Sequence, residues 1–497
     1  MAVVPSLGTG LLVGASQALA VGGPLTLLIS YLILSIVAYC LTSTMAQVAA
    51  HVPAQYGTLV THSYRYGSRH FGFAVGYLRW YTLAMMVPFE ITTAMVNLGL
   101  WEPSAKVAIR ITLIILVLHA FNFLPERAFK RTEVMFTGLK LILTIGLLAF
   151  SIVMFVSGPP GARGFDYWRN TGPMNVQLAD GHLGRAFGVA QCLLYSAISF
   201  ILLPELFVHQ AEQKEDPQSA GILSMSRRNG LQVFALYILS ALAMGVVCPS
   251  DDPLLTNFEA GVGYSPYIVA MRLRGVRILP SIVTTGILIS SVASGRTFLY
   301  LSSRTLHALA ENGHAPSIFY DRNRFGSPYA AILASGLFSF IAYISAAQSS
   351  TEVYNWLMPV ITTCGYLSWM SASFIYLTIR RATKGKELQP SRKSDIQPLA
   401  AYLGITCSMV LPLANGLTAA DPSRFNIRNL IPAYIGIPVF LVLYYGHRSI
   451  NTSEGTSQVD ESSIEERETE QTGSSRIAIH WINRVRSNMG DATDNEV

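Results

Sequence analysis

Two stretches decide how this chain folds: Pro5-Ser6-Leu7-Gly8-Thr9-Gly10, followed by Gly14, and Ser196-Ala197-Ile198-Ser199-Phe200-Ile201-Leu202-Leu203-Pro204-Glu205. Each lies inside an apolar run, yet neither holds a helix at low cost, because glycine and proline cost roughly 1 and 3 kcal/mol in a helix interior. Interrupted helices in corresponding positions of two halves point to an inverted-repeat membrane carrier, whose substrate sits at mid-membrane among unwound backbone. The physics suits a zwitterion: backbone N–H groups at a half-helix N-terminus attract a carboxylate, and carbonyls at a half-helix C-terminus attract an ammonium. The same runs also fit kinked, Gly-rich packing helices, since both residues are common in transmembrane segments.

Working outward, composition supports the membrane. Of 497 residues, 51% are hydrophobic and only 13% charged, against about a quarter charged in a soluble globule. A hydrocarbon core of about 30 Å needs roughly 20 apolar residues per helix, and an open backbone has no water there to satisfy it, so helices are expected. The apolar runs predict spans near 5–22, 24–50, 72–100, 104–124, 132–157, 186–209, 229–249, 277–304, 328–347, 354–379, 398–417 and 430–447. The first begins almost at Met1 without the layout of a signal peptide. The last residues, 449–497, turn polar and acidic (Glu454, Asp460, Glu461, Glu465, Glu466) and read as a largely disordered cytoplasmic tail after a membrane domain over 1–448.

Lysine and arginine favour the loops on the N-terminal side, the basic run Arg380, Arg381, Lys384, Lys386, Arg392 and Lys393 above all, which predicts both termini in the cytoplasm. The sequon Asn451-Thr452-Ser453 then faces the cytoplasm and stays unglycosylated. The net charge of +6 comes from helix ends and carries no nucleic-acid motif. Cys40, Cys192, Cys248, Cys364 and Cys407 are scattered and read as packing residues, so no metal and no cofactor are expected.

Gly8-Thr9-Gly10-Leu11-Leu12-Val13-Gly14 with Gly22-Gly23-Pro24, Gly72-Phe73-Ala74-Val75-Gly76 leading to Trp80 and Glu90, Glu133 to Lys140, Pro204-Glu205-Leu206 with Glu215-Asp216-Pro217, Ser302-Ser303-Arg304-Thr305-Leu306, and Ala433 to Leu441 occur in this order along residues 1–448. This series resembles the fungal amino acid permeases of the amino acid, polyamine and organocation superfamily. The chain begins at the start of the first signature, so a cytoplasmic tail and part of helix one are expected to be missing from it.

The resemblance implies an all-α integral membrane protein of about 12 transmembrane helices. Its core would be a 5+5 inverted repeat with broken helices 1 and 6, plus two extra helices. It implies uptake of amino acids at the plasma membrane, driven by the proton gradient. Residue by residue, Ser6, Gly8, Thr9 and Gly10 match the segment that binds the substrate carboxylate. Ser199 and Phe200 lie where the amino group and an aromatic lid are expected, offset by one from the family's Phe-Ser-Phe order, so either could face the site. Lys140 matches the helix-five lysine that stands, in proton-coupled relatives, where sodium sits in others. Four positions depart from the family: Gln47 for glutamate, Leu203 and Pro204 for Gly-Thr, and Arg296 for asparagine.

An ionisable group within a span is expensive and is a functional candidate by default. Lys140, among Leu139, Leu141 and Ile142, reads as a coupling group, as a tether between helices one and eight, or as a residue reaching the interface. Glu90, after Pro88 and Phe89, reads as a proton carrier or a structural partner, and Glu205 as a carrier or a brace of the second half-helix. Trp80, Trp356 and Trp369 read as packing or interfacial residues. Other readings are a choline, polyamine or 4-aminobutyrate carrier, or a non-transporting amino acid sensor. An enzyme needs a cluster of nucleophile, base or metal ligands, and the ten histidines are dispersed.

Overall fold

The structure, a computed structural model, describes residues 10–51, 58–99, 107–159, 163–177, 181–212, 219–256, 264–276, 278–323, 326–382, 396–418 and 427–452. Two compact units are distinguished, Met1–Tyr445 and Gly446–Val497. In the second, the described residues 446–452 are helical. Ser6, Gly8, Thr9, Glu215-Asp216-Pro217 and the acidic tail beyond residue 452 lie outside the described residues.

Among the described residues, all regular structure is helical, and a helix stands at each of the twelve expected spans. They are α1 (Gly10–Gly22), α2 (Pro24–His51), α3 (Arg69–Leu98), α4 (Val107–Asn122), α5 (Glu126–Ser157), α6a (Gly181–Ala197) with α6b (Leu203–Glu212), α7 (Ser219–Val247), α8 (Leu279–Glu311), α9 (Tyr329–Ala347), α10 (Ser350–Ala382), α11 (Leu399–Ala414), and α12a (Ile427–Tyr434) with α12b (Gly436–Thr452). Six of them are long and apolar enough to cross a bilayer by length and composition alone.

Several helices outrun the apolar windows. α5 begins at Glu126 and takes in Arg127, Lys130 and Arg131, α7 begins at Ser219, α8 continues to Glu311 and α10 to Ala382. By alternation of the spans these extensions fall on one side, the side of the basic loops. Long basic side chains tolerate a helix end that leaves the apolar layer, because their heads reach water while their stems stay apolar.

Burial sorts the helices. The outer face of α5 exposes Val134, Met135, Ile142, Ile145 and Ile152, whereas α10 is mostly enclosed. An apolar face this exposed is stable in lipid and a liability in water. Gly23 sets the corner between α1 and α2: its φ is +83°, and a Cβ there would stand 3.0 Å from the Pro173 carbonyl oxygen. Glycine accepts that conformation without steric cost, and its N–H closes α1 on the Leu19 carbonyl at 2.9 Å. The five cysteines are free thiols.

Candidate functional site

The site begins where two helices fail to be regular. α1 opens with a π turn, Gly10–Gly14, in place of an α turn; such turns recur at functional positions. α6 stops at Ala197, passes through a tight turn in which the N–H groups of Phe200 and Ile201 both reach the Ala197 carbonyl (2.9 and 3.0 Å), and resumes at Leu203. Pro204 falls in the first turn of α6b, where its missing N–H has no helical partner to lose. The carbonyl of Ile201, freed by the break, accepts the indole N–H of Trp369 on α10 at 2.8 Å. Trp369 therefore positions the break, a role its apolar surroundings in the sequence did not signal.

The two irregular segments touch. A Cβ on Gly10 would lie 3.1 Å from Ser199 Cα and 3.5 Å from the Ile198 carbonyl oxygen, so only glycine lets α1 approach the break this closely. Beside this contact lies a small cavity of about 30 Å³, room for a water molecule or two and far below the roughly 300–1,000 Å³ of open small-molecule sites. Gly10, Ile198, Ser199, Leu202, Leu203 and Leu206 line it from α1 and α6, Met86, Phe89 and Glu90 from α3, and Ser294 and Phe298 from α8. Leu203, which stands in place of the expected glycine, thus adds apolar bulk to the wall.

Ser199 and Phe200 separate here. Ser199 lines the cavity, and its hydroxyl is 3.2 Å from that of Tyr31 on α2. Phe200 is fully buried outside the lining, in an aromatic cluster with Tyr31 (5.3 Å), Tyr237 (5.2 Å) and Phe234 (6.2 Å). A turn of this tightness aims consecutive side chains in different directions, so the aromatic wall comes instead from Phe89 and Phe298.

The expected ionisable residues fall in two places. Glu90 is 3% exposed and belongs to the cavity wall. Lys140, 5% exposed, donates from Nζ to Ser294 Oγ at 2.7 Å, so this bond ties α5 to α8, and Ser294 connects the lysine to the cavity. Glu90 and Glu133 attract the Lys140 charge and Arg296 repels it. Arg296, wholly buried on α8, sits over the rings of Phe129 (4.1 Å), Phe136 (5.2 Å) and Phe121 (5.7 Å). Its guanidinium donates to Glu133 Oε2 and to Thr132 Oγ1, and the Thr297 hydroxyl donates to the same carboxylate oxygen at 3.0 Å. Glu205 is held away from the α5–α8 seam, between α3 and α10: it accepts from Ser368 Oγ and faces Arg79 Nε at 3.6 Å.

Beyond the lining, α1 is tied to α10 and to Tyr264, and α3 packs on α10. Gln17 Nε2 donates to Asn355 Oδ1 at 2.6 Å, Ser16 Oγ to the Tyr264 carbonyl at 2.7 Å, and the rings of Phe89 and Tyr354 pack at 4.8 Å. Among the described residues no group of His, Cys, Asp and Glu could hold a metal ion.

Comparison with known proteins gives the family. The family model described as amino acid permease matches residues 1–455. A proline-specific permease of Emericella nidulans is 32% identical over 472 residues, covering 93% of this chain and 86% of its own length. The proline-specific permease of Saccharomyces cerevisiae is 31% identical, covering 89% and 72%. A dicarboxylic amino acid permease of the same yeast is 26% identical, covering 93% and 77%. Among solved structures, a manganese transporter of Eremococcus coleocola shares the fold with a TM-score of 0.55 at 16% identity, covering 88% of this chain and 91% of its own.

Proposed function

Because this chain belongs to the amino acid permease family, an integral membrane family of amino acid carriers, we propose that its substrate is a small neutral amino acid of the proline class, carried with a proton by alternating access. The observation that supports this reading is the cavity wall: Met86, Phe89, Ile198, Leu202, Leu203, Leu206 and Phe298 line it together with Gly10, Ser199, Ser294 and the carboxyl-bearing Glu90. Backbone at the α1 and α6 interruptions serves the carboxylate and ammonium that all amino acids share. The apolar part of the wall rewards an apolar side chain at about 25 cal/mol per Å² and leaves a negatively charged one desolvated. The relatives named proline-specific, at 31% and 32% identity, support the choice within that class.

Energy coupling is assigned to Lys140 and Glu90, because Ser294 brings the lysine to the cavity that Glu90 lines. Glu205, tied to Ser368 and facing Arg79, serves the second half-helix. No cofactor enters this scheme; the proton gradient drives it, and nucleic acid has no part. The basic loops support a cytoplasmic position for both termini, and the reading takes the plasma membrane as the carrier's location. A tag after Val497 is then protected from protease added outside intact cells, and its digestion would reverse the orientation. Substrate is tested by competition: in permease-deficient cells expressing the chain, unlabelled proline and other small neutral amino acids suppress labelled proline uptake, whereas lysine, glutamate and choline leave it unchanged. Equal competition by lysine or choline would overturn the substrate class.

A further inference from the structure

The far end of α8, in the extension that outruns the apolar window on the side of the basic loops, holds a polar cluster that the transport scheme does not use. There the helix closes on a Schellman motif. Gly313, at φ +73°, donates to the Ala310 carbonyl at 3.0 Å, and the His314 N–H reaches the Leu309 carbonyl at 2.8 Å. The connection to α9 is then led back to the helix. His307, 4% exposed, has its Nδ1 2.9 Å from the Phe319 carbonyl oxygen, while its Nε2 lies 3.0 Å from Arg322 Nε and 2.7 Å from Arg322 Nη2. The Tyr320 ring stacks on the imidazole at 5.6 Å. A carbonyl only accepts and a guanidinium only donates, so Nδ1 carries the proton and Nε2 is the bare acceptor. The neutral ring alone meets both sets of contacts, because a second proton, on Nε2, would point at two N–H groups.

We propose that His307 and Arg322 form an acid-labile clasp that holds the α8–α9 connection near neutral pH and releases it as protons accumulate on that side, slowing the carrier. A carboxylate in place of the imidazole would bind Arg322 more strongly and keep it through the physiological range, whereas histidine gives up its acceptor where it titrates, near pH 6.5. The charges facing the ring are Arg322 and Arg304, which repel a protonated imidazole, and Glu311, which attracts one. The clasped state binds one proton fewer than the released state, so it is favoured at high pH and lost as pH falls. Arg322 is exposed, so water takes its guanidinium on release. The clasp bears on the cavity through α3. Tyr77 of α3 donates its hydroxyl to the His314 carbonyl at 3.0 Å, and Tyr64, just ahead of α3, stacks on the His314 ring at 4.0 Å and 5°. α3 carries Met86, Phe89 and Glu90 and α8 carries Ser294 and Phe298, so the connection joins the ends of two helices that line the cavity. Symport delivers a proton to this side at each turnover, and a clasp released by acid turns that product into a brake.

The braking role rests on the proton-coupled reading, and two readouts separate them. In the full chain reconstituted in lipid, hydrogen exchange of the amides over 312–323, corrected for the intrinsic pH dependence of exchange, is followed from about pH 7.5 to about pH 5.5. Protection in the parent falls by about tenfold per pH unit below about 6.5 and returns on neutralisation. His307→Gln, which keeps an acceptor oxygen for Arg322 and does not titrate, holds its protection throughout. Arg322→Ala is unprotected at every pH, and it carries the test if His307→Gln fails to fold. Parent protection that is indifferent to pH, or a His307→Gln variant that loses protection as the parent does, would overturn the clasp. The second readout is exchange of labelled for unlabelled proline with pH and substrate equal on both faces, so that no gradient drives it. At about pH 5.5 it runs about tenfold faster in His307→Gln than in the parent. Equal rates in the two at that pH would overturn the brake. Absence of proline exchange at every pH, beside pH-dependent protection, removes the transport reading and keeps the clasp.

Discussion

The contact between α1 and the α6 break and the seam between α5 and α8 are both buried and both carry polar atoms, yet they are built on opposite principles. At the α1–α6 contact the polarity belongs to the backbone, and side chains are kept small or turned away: Gly10 has none, and Phe200 is buried in its own cluster. At the seam the polarity belongs to side chains, and each charge is clamped. Arg296 is boxed by three phenylalanine rings and Glu133, and Lys140 is fixed on Ser294. The difference teaches where each function is vulnerable. A binding surface made of backbone fails when a Cβ is added, while a charged seam fails when a charge is removed.

The largest effect is therefore expected from the smallest change. Gly10→Val places branched carbons where even a Cβ comes within 3.1 Å of Ser199 Cα, and uptake falls to background while the protein still inserts in the membrane. Measurable uptake by a correctly inserted Gly10→Val chain would show that α1 does not need its close approach to α6. Next comes Lys140→Ala, which removes the charge that Ser294 holds beside the cavity. Substrate binding to purified protein survives within a few-fold, and accumulation against a gradient is lost, because binding and coupling reside in different regions. Accumulation that keeps its pH dependence in this variant would reduce Lys140 to a tether. A smaller and different effect follows Glu133→Ala, which leaves the guanidinium of Arg296 buried without its counter-charge. Stability should drop by about 3–5 kcal/mol, read as a lower midpoint of thermal unfolding in detergent, with the substrate preference of the surviving protein unchanged. An altered preference would merge the seam with the binding surface.

The sequence disclosed most of the fold because lipid imposes one rule on every span: twelve apolar runs become helices, and only their polar ends were misjudged, as where α5 starts at Glu126 and not at residue 132. It also disclosed the break in α6, which Pro204 signals chemically, and the irregular turn at Gly10 in α1, whereas the expected break before Gly10 lies outside the described residues. The cavity wall was less legible. Met86, Phe89 and Phe298 are apolar residues in apolar helices, and no local pattern separates a residue facing a cavity from one facing a neighbour. Ser294 is one serine among several in α8 and becomes meaningful only when Lys140, 154 positions away in the chain, reaches it. Ser199 and Phe200 could not be told apart, because the turn that separates their directions depends on the Trp369 bond to Ile201 from α10. Arg296 was legible as a charge out of place, but its three aromatic neighbours and Glu133 come from α4 and α5 and are assembled only by packing.

The central claim, that a largely apolar cavity at the α1–α6 break carries a proline-class amino acid with a proton, is tested most directly by labelled proline uptake in permease-deficient cells. Uptake is measured with the outside acidic and then neutral, with and without a protonophore. The account predicts concentrative uptake that is faster with the acidic exterior and collapses with the protonophore. Concentrative uptake that is indifferent to both, or no proline uptake by a chain shown to reach the membrane, would contradict it.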